Sequence, residues 1–455
     1  MDEAFCDRPQ ASAAGENGNQ LFQDSIFALS SGSLPSGVAV IRLSGPHIRD
    51  VLMTVAGALP PPRRAVLAPF RDTEGREIDR GLVLFFPGPA SFSGEDCAEF
   101  HLHGGRAVVQ AMLRLLGSRP GLRQAEAGEF TRRAFINGKI DLTGAEGLAD
   151  LIAAETEAQR RLALDNAGGG QRRLYDGWRS RLLHARAMIE AELDFSDEED
   201  VPAFAAEQVA GDLVRLADDI AGHLADFRAA EIVREGFRVV LVGAPNAGKS
   251  SLLNALARRE IAIVTDVAGT TRDLVETSLD IGGMKIVVTD TAGLRDTADK
   301  VERIGVARAK EAASRADLVL QLRDPTTSLE SPAPEWPAPT LRIATKSDLF
   351  PAANGTFDHQ ISAVTGDGLP ALIDSIAGYA ARSARVEGRI VPTRLRQAEL
   401  LERTREHILV ATGVDALELK AEQLRLASDA LGRITGAVDV EELLGVIFSE
   451  FCIGK

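Results

Sequence analysis

The stretch that most constrains the fold is Gly243–Ser250, which reads Gly-Ala-Pro-Asn-Ala-Gly-Lys-Ser. An apolar, β-branched run, Phe237–Val242, precedes it, and a helical run, Ser251–Ala257, follows it. A phosphate-binding loop needs this strand–loop–helix order, because its glycines let backbone N–H groups converge on phosphate at the positive end of a helix. Lys249 can reach the β- and γ-phosphates, and the Ser250 hydroxyl can bind Mg²⁺. The candidate nucleotide contacts here are Asn246, Ala247, Gly248, Lys249, Ser250 and Ser251.

Three later stretches specify a guanine nucleotide. Residues 265–273 carry hydroxyls that can close over Mg²⁺ and the γ-phosphate, with Thr271 as the expected metal ligand. The predicted strand Ile286–Asp290 ends in an acid that can hold Mg²⁺ through water, and Asp348, after a second predicted strand, can accept two N–H bonds from guanine. The ordered set predicts a GTPase that binds GTP and GDP. Its further candidate contacts are Thr265, Asp266, Val267, Ala268, Gly269, Thr270, Thr271, Asp290, Thr291, Ala292, Gly293, Thr345, Lys346, Asp348, Ser362 and Ala363.

Length and charge limit what surrounds this domain. The 455 residues predict about three domains. The net charge of −15 argues against a broad basic face for nucleic acid, so RNA would need a partner or a local patch. No apolar run approaches a membrane span, and residues 1–20 resemble neither a secretory signal nor a transit peptide. Cys452 stands fourth from the end, but Gly454 and Lys455 do not fit a prenylation box. These features predict a cytoplasmic protein with a short disordered tail and no membrane contact.

The periodicity on each side of the GTPase segment is helical. One apolar stripe runs from Leu174 to Leu193 at three- and four-residue steps, and another runs from Leu417 to Val438. Each stripe needs an apolar partner surface, so we predict that the two pack on each other with the GTPase inserted between them. The N-terminal part alternates like strands at Val38–Leu43, Arg80–Phe86 and Cys97–His103, which predicts a mixed α/β unit.

His101 and His103 lie on the same face of the last of these predicted strands. Two histidines without an acidic or thiolate third ligand are more often structural than metal-binding, so the structural interpretation is preferred.

Several longer stretches resemble the bacterial tRNA modification GTPase family MnmE, also called TrmE. They are Pro87–Pro89 with Phe92–Asp96, His103–Gly105, Glu129–Leu142 and Phe451–Lys455. The resemblance implies a multidomain α/β plus all-α protein with a folate-binding α+β domain, a discontinuous helical bundle and an inserted Ras-like P-loop GTPase domain. We expect the tail at 1–20, the tetrahydrofolate-binding domain at 21–140, the helical domain at 141–235 and 385–455, and the GTPase domain at 236–384.

The resemblance also implies an activity and partners. Members of the family act as homodimers, and a flavoprotein, MnmG, joins them in a heterotetramer. Together they add a carboxymethylaminomethyl or aminomethyl group to carbon 5 of the wobble uridine of certain tRNAs. A methylene-tetrahydrofolate supplies the carbon, and 5-formyl-tetrahydrofolate is a related ligand. The folate-contacting positions that carry over are Arg42, Glu99, Lys139 and Lys455.

Hydrolysis in this family is expected to differ from that of Ras-type switches. Position 294, where Ras-type switches place a water-orienting glutamine, is a leucine. The family answer is that K⁺ replaces the arginine finger and that G domains dimerise across the nucleotide. The resemblance gives Asn246, Thr265, Val267 and Thr270 as K⁺ ligands, Glu302 as the residue that orients water, and Arg295 as a secondary candidate.

Two positions depart from the family pattern. Thr345 stands where the base-recognition motif usually has asparagine, so we expect guanine specificity to survive with some loss of affinity. Ser31–Gly37 replaces a Thr-Pro-Pro-Gly type of loop, which affects the edge of the expected folate pocket. Two other functions remain as alternatives: a ribosome-assembly type of switch that binds RNA without modification chemistry, and a stand-alone folate methyltransferase with a regulatory GTPase.

Overall fold

The computed structural model describes residues 22–194, 204–259, 261–263, 275–290, 311–325, 336–350, 356–386 and 388–438, together with Leu444, Ile447, Phe448, Phe451 and Gly454. The chain divides into two compact units. Unit 1 comprises residues 1–145 and 438–455, and unit 2 comprises residues 146–437. No helix of the described ranges is long and apolar enough to cross a bilayer.

Unit 1 is built on a six-stranded sheet in the order β3-β4-β5-β2-β1-β6. All neighbouring strands are antiparallel except β1 and β6. The elements are β1 (Ser25–Leu29), β2 (Ser36–Ser44), α1 (Ile48–Val55), β3 (Val66–Arg71), β4 (Glu77–Phe86), β5 (Cys97–Gly104), α2 (Arg106–Gly117), β6 (Leu122–Gln124) and α3 (Glu129–Ile136).

One face of this sheet forms the core of unit 1, because alternate residues of each strand point to the same side. Ile41, Phe85 and Phe100 on that face pack against apolar side chains of α1 and α2. The opposite face carries Arg42 and Glu99, which are cross-strand neighbours. The predicted mixed α/β unit is therefore present, with one buried face and one face that bears charge.

In unit 2 the helical residues come from both ends of the sequence range. Helices α6, α7, α11 and α12 share one apolar core that includes Trp178, Leu216, Leu401 and Leu431. The prediction that the two stripes pack on each other is thus confirmed. The helices are α4 (Leu142–Ala153, which begins in unit 1), α5 (Glu157–Ala167), α6 (Gly170–Asp194), α7 (Phe204–Ala225), α8 (Phe227–Glu235), α11 (Leu395–Gly413) and α12 (Leu417–Thr435).

Between α8 and α11 the chain forms a seven-stranded sheet in the order β13-β12-β11-β7-β10-β9-β8. The strands from β13 to β10 are parallel, whereas β9 is antiparallel to both of its neighbours. The elements are β7 (Phe237–Val242), α9 (Lys249–Arg259), β8 (Ile261–Ile263), β9 (Val275–Ile281), β10 (Met284–Asp290), β11 (Leu318–Arg323), β12 (Thr340–Ala344), β13 (His359–Gln360) and α10 (Leu369–Ser383). Ligands of such sheets bind at the carboxyl ends of the parallel strands.

Candidate nucleotide-binding site

The phosphate-binding loop follows β7 and ends where α9 begins at Lys249. Three of its positions have a positive φ: Asn246 at +63°, Gly248 at +89° and Gly243 at +157°. Asparagine and glycine are the residues that adopt this left-handed region most readily. A Cβ atom at Gly248 would lie 3.6 Å from the Cβ atom of Thr345. The loop therefore lies close to the segment that we expect to bind the base.

Lys249 is buried, with only 5% of its surface exposed, and its ammonium donates to two carbonyls of the loop. The Nζ–O distances are 2.8 Å to Gly243 and 2.9 Å to Ala244. Burial lowers the pKa of Lys249, and the charge of Asp290 partly opposes that shift. An incoming phosphate would give this desolvated ammonium a full negative charge in place of carbonyl dipoles, which is a stronger interaction.

Two of the three predicted Mg²⁺ positions, Ser250 and Asp290, are described and lie side by side. The Ser250 hydroxyl donates to Oδ2 of Asp290 across 2.7 Å, and the Asp290 residue is 2% exposed. They meet because β7 and β10 are parallel neighbours, with Asp290 paired to Leu241 at their carboxyl ends. Hard oxygen ligands of this kind suit Mg²⁺.

The predicted base loop, Thr345–Asp348, follows β12 and is fixed by hydrogen bonds. The Thr345 N–H and hydroxyl both donate to the Arg323 carbonyl, at 2.9 and 3.2 Å. The Ser347 N–H donates to the Ile361 carbonyl, which ties this loop to the next one. Asp348 is exposed and available to a ligand.

The last predicted base-contacting loop contains Ser362 and Ala363. Ser362 is fully buried, and its hydroxyl accepts N–H bonds from Val364 and Thr365 at 3.3 and 3.1 Å. These bonds hold the loop in a tight turn beside the base loop. The structure thus brings together the three described parts of the predicted site: the phosphate loop with its acid partner, the base loop and this turn.

The other predicted nucleotide and potassium positions lie outside the described residues. They are Thr265, Asp266, Val267, Ala268, Gly269, Thr270, Thr271, Thr291, Ala292, Gly293, Arg295 and Glu302.

The candidate folate positions belong to unit 1, and three of the four are described. Arg42 Nη2 lies 3.0 Å from Glu99 Oε1, and the guanidinium also lies 5.9 Å from the ring centroid of Phe92. His101 Nε2 lies 3.3 Å from the other oxygen of Glu99. The Lys139 ammonium donates to the Pro89 carbonyl at 2.8 Å. Lys455 lies outside the described residues.

Sequence reasoning missed two parts of these sites. The first is Asp324, which pairs with Lys346 and directly follows the buried strand β11. An acidic residue directly after an apolar run is the sequence signal that could have identified it. The sequence suggests His101 only as a metal ligand, because its contact with Glu99 depends on side-chain orientation. His103 instead lies 2.8 Å from Asp79.

Comparisons with known proteins agree with this architecture. Profiles of the "GTP-binding protein TrmE N-terminus" and of the "MnmE helical domain" match residues 25–139 and 142–452. A tRNA modification GTPase MnmE from Brucella canis is 58% identical over 437 residues, which cover 95% of this chain and 99% of that protein. One from Mesorhizobium japonicum is 56% identical over 440 residues, with the same coverage of 95% and 99%.

Two solved structures are similar to part of this chain. Era from Aquifex aeolicus, bound to GDP and AlF4−, is 24% identical and covers 38% of this chain and 67% of its own, with a TM-score of 0.24. The G domain of FeoB from T. maritima is 26% identical and covers 32% of this chain and 98% of its own, with a TM-score of 0.23. Together with the two family profiles and the near full-length relatives, the site geometry leads to one conclusion: this chain belongs to the tRNA modification GTPase MnmE family.

Proposed function

We propose that this protein is a K⁺-dependent GTPase that, with the flavoprotein MnmG, modifies carbon 5 of the wobble uridine of certain tRNAs in the cytoplasm. A methylene-tetrahydrofolate supplies the added carbon. The proposal also includes a homodimer and a heterotetramer with MnmG. Its basis is membership of the family, and the structural observation that carries it is the Arg42–Glu99 pair in unit 1.

A folate needs side chains in unit 1 that can bind its pterin ring and its glutamate tail. The side chains of Arg42 and Glu99 are both partly exposed, so each could also contact a bound ligand. A carboxylate accepts pterin N–H groups, and cations bind the carboxylates of a folate tail. The half-exposed ring of Phe92 lies next to Arg42, so a flat ligand ring could stack on it. These residue types fit a tetrahydrofolate.

The C-terminal segment reaches the same unit. The Ser30 hydroxyl donates to the Gly454 carbonyl at 2.7 Å, and a Cβ atom at Gly454 would overlap the Leu29 carbonyl. The penultimate residue is therefore held against the end of β1. This supports the inclusion of Lys455, the next residue, among the proposed folate contacts.

Mg²⁺ and K⁺ would each use oxygens of the phosphate-loop region. Ser250 and Thr271, with Asp290 acting through water, would hold Mg²⁺, which neutralises phosphate charge when bound. We place the side-chain oxygen of Asn246 among the K⁺ ligands, because Leu294 cannot hydrogen-bond an attacking water and a cation near the β- and γ-phosphates stabilises the charge that develops there. Thr265, Val267 and Thr270 complete the proposed K⁺ ligands, and Glu302 would orient the water, with Arg295 as the secondary candidate.

GTP hydrolysis can influence the helical part of unit 2 through α5. The Glu155 carboxylate lies 2.6 Å from the Lys285 ammonium, and the Ala158 N–H donates to the Gly283 carbonyl at 3.0 Å. Both partners belong to the β9–β10 hairpin, whose far end carries Asp290. Helix α5 and Glu155, which lies just before it, thus contact the strand pair that connects the two expected γ-phosphate-sensing segments. We propose that rearrangements of those segments reach the helical domain by this route.

Mass spectrometry of wobble uridines tests the proposed reaction. Cells that lack the protein should lose the modification, and the wild-type gene should restore it. If the modification persisted in those cells, the proposed reaction would be wrong.

Ligand retention tests the folate assignment separately. The wild-type protein should retain 5-formyl-tetrahydrofolate on a filter, and Glu99→Gln should weaken retention at least tenfold because one charge-assisted acceptor is lost. Glu77→Gln is the matched control, since Glu77 forms an exposed pair with Arg80 on β4. No retention by the wild-type protein would instead favour the ribosome-assembly type of switch.

A further inference from the structure

Asp324 holds the lysine of the base loop. Its Oδ2 atom lies 2.7 Å from the Lys346 ammonium, and the Asp324 side chain is 13% exposed, against 40% for Lys346. The contact follows from the sheet, because β11 and β12 are parallel neighbours with Arg323 paired to Ala344. The residues that follow each strand therefore emerge side by side.

Lys346 is also constrained at its backbone. Its φ of +58° is in the left-handed region, which residues with a Cβ atom seldom adopt. Its carbonyl accepts N–H bonds from Leu349 and Phe350, at 3.0 and 3.1 Å. The ion pair with Asp324 fixes the other end of the side chain. Both ends of the Lys346 side chain are thus held, which restricts the four methylene groups between them.

We propose that Asp324 is a positioning residue for the purine base of the bound nucleotide. It orients the Lys346 side chain so that the apolar methylene stem forms one wall against the ring face, while the ammonium stays paired. This inference rests on the proposed assignment of residues 345–348 as the base loop. The stem acts on the ring face, whereas Asp348 acts on the N–H groups of the base edge.

GDP and IDP separate the contact with the ring face from the contact with the base edge. IDP carries hypoxanthine, which lacks the exocyclic amino group of guanine but presents a similar ring face. Loss of a ring-face contact should therefore weaken GDP and IDP equally, whereas loss of an edge contact should weaken GDP more. Asp324→Asn keeps the shape of the side chain but removes its charge. The Lys346 stem is then less restricted in the free protein, and ordering it on binding lowers the affinity.

The experiment measures dissociation constants and release rates of fluorescent GDP and IDP with the full-length protein. Asp324→Asn should raise both dissociation constants by about tenfold, mainly through faster release, and leave their ratio unchanged within about twofold. The KM for GTP should rise while kcat at saturating GTP stays within about twofold. Asp374→Asn, an exposed carboxylate on α10, is the control with the same change of charge. Asp324→Glu should restore most of the affinity.

A double-mutant cycle completes the test. Lys346→Met should weaken both nucleotides, and adding Asp324→Asn to it should cost little more, because the partner is already absent. Additive effects, a changed GDP-to-IDP ratio in Asp324→Asn, or unchanged affinity in that variant would overturn the proposal. If Lys346→Met itself left both affinities unchanged, the base-loop assignment would be wrong as well. Thermal unfolding of the nucleotide-free variants distinguishes these outcomes from a loss of folded protein.

Discussion

The helical bundle contains a buried histidine whose protonation should destabilise the fold in mild acid. His223, on α7, is 8% exposed, and its Nε2 atom lies 3.0 Å from the Tyr175 hydroxyl. Its ring is perpendicular to those of Tyr175 and Trp178, with centroids 5.6 and 5.3 Å away. Burial, assisted by the charge of Arg389, lowers the pKa of His223 from 6.5 to about 4. The folded bundle therefore holds this imidazole neutral.

The sign and size of the effect follow from the two pKa values. In the unfolded chain the imidazole binds a proton below about pH 6.5, whereas the folded protein excludes it until about pH 4. The stabilisation is thus complete above the unfolded pKa and is lost as the pH falls through this window. Between about pH 7.5 and about pH 5 the single site should remove about 2 kcal/mol from the free energy of unfolding.

The substitution His223→Phe isolates this contribution, because phenylalanine keeps a ring at the site but cannot titrate. The sequence has two tryptophans, so the wild-type and His223→Phe proteins both also carry Trp336→Phe, which leaves Trp178 as the fluorescent probe. Urea unfolding is followed by Trp178 fluorescence at each pH. At about pH 7.5 the variant should be less stable by about 1 kcal/mol, because the Tyr175 hydrogen bond is lost. By about pH 5 that difference should vanish or reverse.

His184→Phe is the matched control, since His184 is exposed on α6. It should leave the pH dependence of bundle stability unchanged. If wild-type and His223→Phe stabilities fell in parallel between about pH 7.5 and about pH 5, the imidazole would not be held neutral by burial and the reasoning would be refuted.

Three further predictions concern the two candidate sites. Thr345→Asn should tighten GDP binding several-fold, because an amide offers more hydrogen bonds than a hydroxyl; calorimetry that finds equal or weaker binding would contradict this. Glu155→Gln and Lys285→Met should each slow wobble-uridine modification while GTP turnover changes less than twofold, and a parallel loss of both activities would argue against the α5 route. Gly128→Ala should weaken 5-formyl-tetrahydrofolate binding at least tenfold, since φ is +64° and the new Cβ atom would lie 2.5 Å from the Phe448 carbonyl. Unchanged filter retention would show that the C-terminal segment does not contribute to that site.

The sequence predicts the strand–loop–helix order around residues 243–250 well, because these residues are contiguous and each has a local reason. The apolar run Phe237–Val242 becomes β7, and Lys249 begins α9. The two helical apolar stripes can also be predicted from the sequence, because a 3.6-residue period of apolar residues identifies the buried face of a helix. The five-segment division of the chain stays a prediction.

The parts that could not be predicted depend on contacts between distant residues. Asp324 reaches Lys346 only because two strands are parallel neighbours. The buried hydrogen bond between Gln397 and Glu146, 2.7 Å long, joins residues 251 positions apart and has no local signature. His223 likewise becomes a titration-sensitive group only through its burial against α6.

We propose that a captured alkali cation, held in part by Asn246, supplies the charge stabilisation for GTP hydrolysis. GTP turnover of the full-length protein in KCl and in NaCl tests it most directly, with Asn246→Gly as the variant. Glycine accommodates the φ of +63° at this position, so the substitution removes the amide without straining the loop. We expect faster wild-type turnover in K⁺ than in Na⁺ and loss of that difference in Asn246→Gly. Equal wild-type rates in the two salts, or full K⁺ stimulation of the variant, would contradict it.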